Sequence, residues 1–167
     1  MGDGLEAVEA GDVARRQTAV EEQRPQRSKI PICLLVPFQY GLSKKEQVNI
    51  LLNKSKGFLI TAEHQTAIGL YDLAAFSLEQ SLQLYLKAKL LERGVDFPKS
   101  YGVRKLLELL HKVSGDAAIV NVLNEFVMEL GILEDVYITS RYSGREFRKE
   151  EVERLWAVVK KVMDAVR

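Results

Sequence analysis

A chain of 167 residues with 47% hydrophobic and 28% charged residues has the composition of one globular domain with a hydrophobic core. Its formal net charge of +1 excludes a general basic field, so any attraction for nucleic acid or an anionic membrane has to come from a local patch. The longest apolar runs fall well short of the roughly 18–20 residues that cross a bilayer, and a single cysteine, Cys33, excludes an internal disulfide and a thiolate metal cluster.

Residues 1–28 are rich in Glu, Arg, Gln, Gly and Ala and poor in large apolar side chains, so they bury too little surface to offset the entropy of ordering. Their acidic opening, "MGDGLEAVEAGD", lacks the basic start and apolar stretch of a secretion signal, and the expected compartment is the cytoplasm. "KIPICLLVPFQYG" follows, bracketed by Pro31 and Pro37 and so unsuited to a helix. Residues 1–43 are therefore expected to form a flexible, non-globular N-terminal extension, and 44–167 a helical bundle.

From Lys44 onward the apolar residues recur with helical period. A first helix over about 44–67 puts Val48, Leu52, Ser55, Leu59, Ala62 and Thr66 on one face, with Gly69 ending it. A second, over about 70–93, is apolar on most sides, as a central helix should be, and stops at Gly94 in the position of a left-handed C′ residue. "DFPKSYG" connects to a short third helix with Val103, Leu106, Leu107 and Leu110 inward, for which Ser100 or a neighbour supplies the cap. A fourth carries Ile119, Val122, Leu123, Phe126, Leu130 and Leu133 as one stripe; Gly131 within it implies a close helix contact that compensates its poor propensity. The fifth, about 148–166, has Val152, Leu155, Trp156, Val159, Val162, Met163 and Val166 at i, i+3, i+4, i+7 spacing. No segment of the body alternates with period two, and the loops are short, so the predicted fold is all-α: an antiparallel up-and-down bundle of about five helices.

Two polar features interrupt this pattern. Gln80, Gln83 and Lys87 form a stripe at i, i+3, i+7 on the central helix, which reads either as a solvated edge or as a polar groove between helices. The stretch "YITSRYSGREFRKEE" places Arg141, Arg145, Arg148 and Lys149 within nine residues around a turn. At 100° per residue Phe126, Leu130, Leu133, Tyr137 and Arg141 fall within about 80°, so Arg141 continues a core-facing stripe, where a guanidinium needs a partner. Two accounts stand open. Arg141 closes a helix against its dipole and against Glu134, two turns back, or it meets a phosphate through its fork, with Tyr137 and Tyr142 available to stack on a base. His64 and His111 are too few and isolated for a metal site, and neither a P-loop nor a G-x-G-x-x-G nor a G-x-S-x-G occurs; no metal and no cofactor is expected.

"YDLAAFSLEQSLQLYLKAKLLERG", then "VRKLLELL", then "YITSRYSG", resemble the HEPN domain, a small helical bundle widespread in archaea and bacteria, over roughly residues 46–166. Ala75, Phe76, Gln80, Leu86, Lys87 and Ala88 fall on the pattern of that family's long second helix. Arg141-Tyr142 matches its Arg-Tyr-Pro motif, with Ser143 in place of Pro. Gln83 stands where the family often has Glu, and Tyr101 where many members have His. The resemblance implies a homodimer and, in members paired with small nucleotidyltransferases, a protein partner. Ribonuclease members use an Arg followed four to six residues later by a polar residue, usually His; after Arg141 this chain has no His. Metal-free RNA cleavage needs a group of near-neutral pKa to handle the 2′-hydroxyl and leaving-group protons, which Arg cannot supply.

The resemblance and the residues together favour a binding and interaction protein over an enzyme. Its expected nucleotide- or RNA-phosphate-binding residues are Arg141, Lys87, Gln80, Gln83 and Arg145. The alternative is a toxin-type, metal-independent ribonuclease of a toxin–antitoxin pair, with an atypical site in which Tyr142 or Glu146 joins Arg141.

Overall fold

The computed structural model describes residues 41–97, 102–142 and 146–167, and for 137–142 the helical backbone alone. The described residues form helices α1 (Lys44–Ala67), α2 (Tyr71–Glu92), α3 (Val103–Ser114), α4 (Ala117–Glu125), α5 (Val127–Tyr142) and α6 (Lys149–Ala165). Among the described residues there is no strand and no helix long and apolar enough to cross a membrane. The expected extension falls almost wholly on residues outside that description, as do Cys33 and Ser100.

Local chemistry sets the helix ends. Ser43 opens α1 with a reciprocal capping box: Glu46 N–H donates to Ser43 Oγ at 3.3 Å, and Ser43 N–H donates to Glu46 Oε2 at 2.7 Å. The Ser43 N–H, and after it the Ser43 hydroxyl donating to the same oxygen at 2.8 Å, hold the Glu46 carboxyl below its ordinary pKa. α2 ends in the Schellman geometry that Gly94 announces. Gly94 has φ +75°, its N–H donates to Leu91 O at 2.9 Å, and Val95 N–H donates to Leu90 O at 3.0 Å. Gly69, with φ +79°, closes α1 in the same way, through Leu70 N–H to Gln65 O at 2.8 Å.

α2 is the hub, packing against α1, α3, α5 and α6. That accounts for its lack of a single apolar face: Ala74, Ala75, Leu78, Leu82, Leu86, Ala88 and Leu90 are all fully buried, on several sides of one helix. Small residues bring α1 close to it. Ser55 Oγ donates to Ser81 O at 2.9 Å and Ser81 Oγ to Ser55 O at 2.8 Å, so each buried hydroxyl closes on the opposite backbone and none is left unsatisfied. The stripe expected for α3 is buried as read, Val103, Leu106, Leu107 and Leu110; that of α6 buries Val152, Leu155, Val159, Val162 and Val166 and leaves Trp156 and Met163 partly exposed.

Two expectations need correction. The predicted fourth helix is two helices, broken at Phe126 (φ −112°, ψ 33°). Its apolar stripe runs across the break, because Val122 from α4 and Leu130 from α5 join one core cluster. Gly131 needs no close helix contact: a Cβ there would meet Arg104 Nη2 at 3.7 Å, an ordinary distance.

Candidate functional site: the polar relay on α2

α2 and α5 run antiparallel. Phe147, just past the C-terminal end of α5, donates its N–H to Asp72 Oδ1 at the start of α2, at 2.7 Å. In mid-α5, Glu134 reaches the start of α3, the helix that follows the C-terminal end of α2. α5 packs on α2, and Phe147, five residues past Tyr142, ties the lead-in to α6 to the first turn of α2. The side chains of Arg141 and Tyr142, and Arg145 entirely, are outside the described residues.

On α2 the polar stripe is not a solvated edge. Its centre is a residue the sequence reading passed over, Glu79, which is 2% exposed. Gln80 Nε2 donates to Glu79 Oε2 at 2.6 Å and Gln83 Nε2 to Glu79 Oε1 at 3.1 Å. Gln83 Oε1 accepts from Lys87 Nζ at 2.8 Å. The Gln83 amide thus has one orientation that serves both neighbours, nitrogen toward the carboxylate and oxygen toward the ammonium. Glu79, Gln83 and Lys87 stand at i, i+4, i+8, one above another along α2, and form a carboxylate–amide–ammonium relay inside the bundle. Lys87 is 8% exposed, and its ammonium also lies 5.6 Å from the centre of the Phe97 ring. Burial lowers the Lys87 pKa, and the charge of Glu79 opposes that shift.

The structure therefore joins three of the expected residues, Gln80, Gln83 and Lys87, through Glu79. It turns the amide nitrogens of both glutamines to the carboxylate, and among the described residues Lys87 is the cation bonded to the group. A periodic reading that starts from Glu79 rather than Gln80 finds the stripe: a carboxylate followed at i+4 by an amide and at i+8 by a cation.

The remaining expected residues separate from this group. Glu146 is exposed, beside Asp72 and Phe147 in a cleft of about 280 Å³ at the α1–α2 corner. Glu134, one of the two anions considered for Arg141, bonds at both carboxylate oxygens to Arg104, Oε1 to its N–H at 3.0 Å and Oε2 to its Nε at 2.8 Å. It serves α3, whose N-cap Gly102 has no side chain to cap with; that replaces the expected cap by Ser100 or a neighbour. His64 and His111 sit at the ends of different helices, and His111 Nδ1 is 3.0 Å from Asp116 O. No group of three His, Cys, Asp or Glu that would hold a metal ion occurs among the described residues.

A search of curated proteins returned no match. The family model described as "HEPN domain" matches residues 48–167, most of the chain and the whole of the bundle from the first turn of α1. The resemblance carried by the central helix and the Arg-Tyr end is borne out by that match, and the chain belongs to the HEPN domain family.

Proposed function

We propose that this HEPN bundle is a cytoplasmic interaction protein that binds the phosphate of a nucleotide or RNA beside the relay on α2, as the homodimeric partner of a small nucleotidyltransferase. Membership of the family is consistent with a nucleotide- or RNA-related function. The observation that carries the finer reading is the relay on α2: a buried ammonium, Lys87, is held at a fixed place by Gln83, itself fixed by Glu79, on the helix packed against α5. A cation that is dehydrated and positioned before the ligand arrives adds more per contact than a mobile surface lysine. In this reading Arg141, at the end of α5, supplies the forked contact to phosphate, Lys87 supplies the second positive charge, and Gln80 and Gln83 hold the relay in register. Arg145, outside the described residues, would add a further cation.

Self-association is supported by apolar side chains left outside at the corner of α1 and α2, where Ile60 is 68%, Ile68 57%, Leu70 46% and Leu73 46% exposed. Light scattering at tens of micromolar tests it; a strict monomer contradicts it.

The deciding experiment is an RNA cleavage assay on the purified protein beside Arg141→Ala, with oligonucleotide binding measured on the same samples. The reading expects binding without cleavage in the unmutated protein. Metal-independent cleavage abolished by Arg141→Ala would replace it with the ribonuclease reading and make Tyr142 and Glu146 the next residues to change.

A further inference from the structure

α1 and α6 line a cleft of about 330 Å³ that shares no residue with the relay on α2. Glu63, Thr66 and Ala67 line it on the α1 side, and Val152, Glu153, Trp156 and Lys160 on the α6 side. Trp156 is half-buried where its neighbours Val152 and Leu155 are fully inside, so part of a large aromatic surface is kept at the cleft. Its ring already attracts a cation of this chain: Lys160 Nζ lies 5.4 Å from the ring centre. Glu63 makes no ion pair or hydrogen bond among the described residues, and Glu153 has a long pair with Lys149, 3.8 Å, with both side chains 59% exposed. Such an exposed pair contributes little and is readily exchanged.

We propose that this cleft is a docking site for an arginine side chain presented by a partner polypeptide. The volume, near the lower end of the roughly 300–1,000 Å³ of ligand pockets, suits one long side chain and is too small for a helix. Charge favours a cation, since the lining holds two carboxylates, one from each helix, against the single ammonium of Lys160, beside an aromatic face that already attracts that ammonium. Arginine fits better than lysine because its planar guanidinium stacks on an indole while its fork reaches a carboxylate. The site does not depend on phosphate binding beside the relay on α2, and either assignment can fail without the other.

The chain has one tryptophan, so its emission reports on this cleft directly. The probes are a short peptide with one central arginine among alanines, the same peptide with neutral citrulline, and free agmatine. The arginine peptide is expected to change Trp156 emission saturably, with an affinity in roughly the millimolar range, as one anchored side chain allows. The Glu63→Gln, Glu153→Gln double variant, altered at exposed positions away from the core, should bind it about tenfold more weakly. The citrulline peptide should give no saturable change. An equal response to citrulline, undiminished binding by the double variant, or no saturation with arginine overturns the proposal. Agmatine binding as tightly as the peptide overturns the polypeptide partner in favour of a free small cation.

Discussion

Glu134 holds Arg104 at two points, its Oε1 on the backbone N–H at 3.0 Å and its Oε2 on Nε at 2.8 Å, and so caps α3 from the middle of α5. An ideal Cβ on Gly102 would lie 2.5 Å from the same Oε1, which explains why the N-cap is a residue without a side chain. Glu134→Ala is expected to lower stability by about 1 kcal/mol, the usual effect of losing a helix cap. Gly102→Ala should also destabilise, by pushing the carboxylate off the helix end. Because both act on one contact, the double variant should lose less than the sum of the two in urea melts; additive losses would contradict the shared mechanism.

Gly131→Ala should raise stability by about 1 kcal/mol. The position is inside α5, a Cβ there meets only an ordinary 3.7 Å contact with Arg104 Nη2, and alanine removes the propensity cost of glycine in a helix. Thermal melts of the two proteins decide it, and a lower melting temperature would mean that the glycine serves a packing role not visible in this geometry.

The positions where the sequence reading succeeds and fails have physical causes. Ser43, Gly69 and Gly94 act through bonds to residues three to five places away, so the ends of α1 and α2 are legible from local chemistry. The break at Phe126 is not, because "NEFVMELG" holds no proline and the hydrophobic period continues through it. There the non-helical backbone goes with tertiary contacts: Lys161 of α6 pairs with Glu125 at 3.1 Å and lies 4.8 Å from the Phe126 ring centre. The cap of α3 fails for the same reason, since Glu134 is thirty residues away from Arg104. Glu79 was hidden because a single carboxylate on a central helix resembles any exposed glutamate until the burial of that face is known.

Lys87→Met should lower stability at neutral pH by roughly 1–3 kcal/mol, because methionine fills a similar volume but leaves Gln83 Oε1 without its donor and the buried Glu79 carboxylate without the cation at the far end of the relay. The pH dependence has a definite sign. The folded-state pKa of Lys87 lies below its ordinary 10.5, so between those two values the unfolded chain binds more protons than the folded one. Stability of the unmutated protein should therefore rise with pH through that window relative to Lys87→Met. Tyr85, whose pKa burial raises, works in the opposite direction above its ordinary 10.0 and is common to both proteins, so the difference between them isolates Lys87. Urea midpoints across the alkaline range check this; a difference that shrinks or reverses with rising pH would contradict it. Phosphate binding by Lys87→Met should be weaker although the fold is intact.

The central claim is that Arg141 acts on a phosphate rather than on the fold. It is tested most directly by measuring oligonucleotide affinity against salt concentration for the unmutated protein and Arg141→Ala, with melting temperatures taken on the same samples. The account predicts nearly equal melting temperatures, weaker binding by the variant, and a salt slope smaller by about one phosphate contact. A variant that binds equally well with an unchanged slope would contradict it. So would a loss of stability of roughly 1–3 kcal/mol that accounts for all the lost binding, the mark of a structural cation.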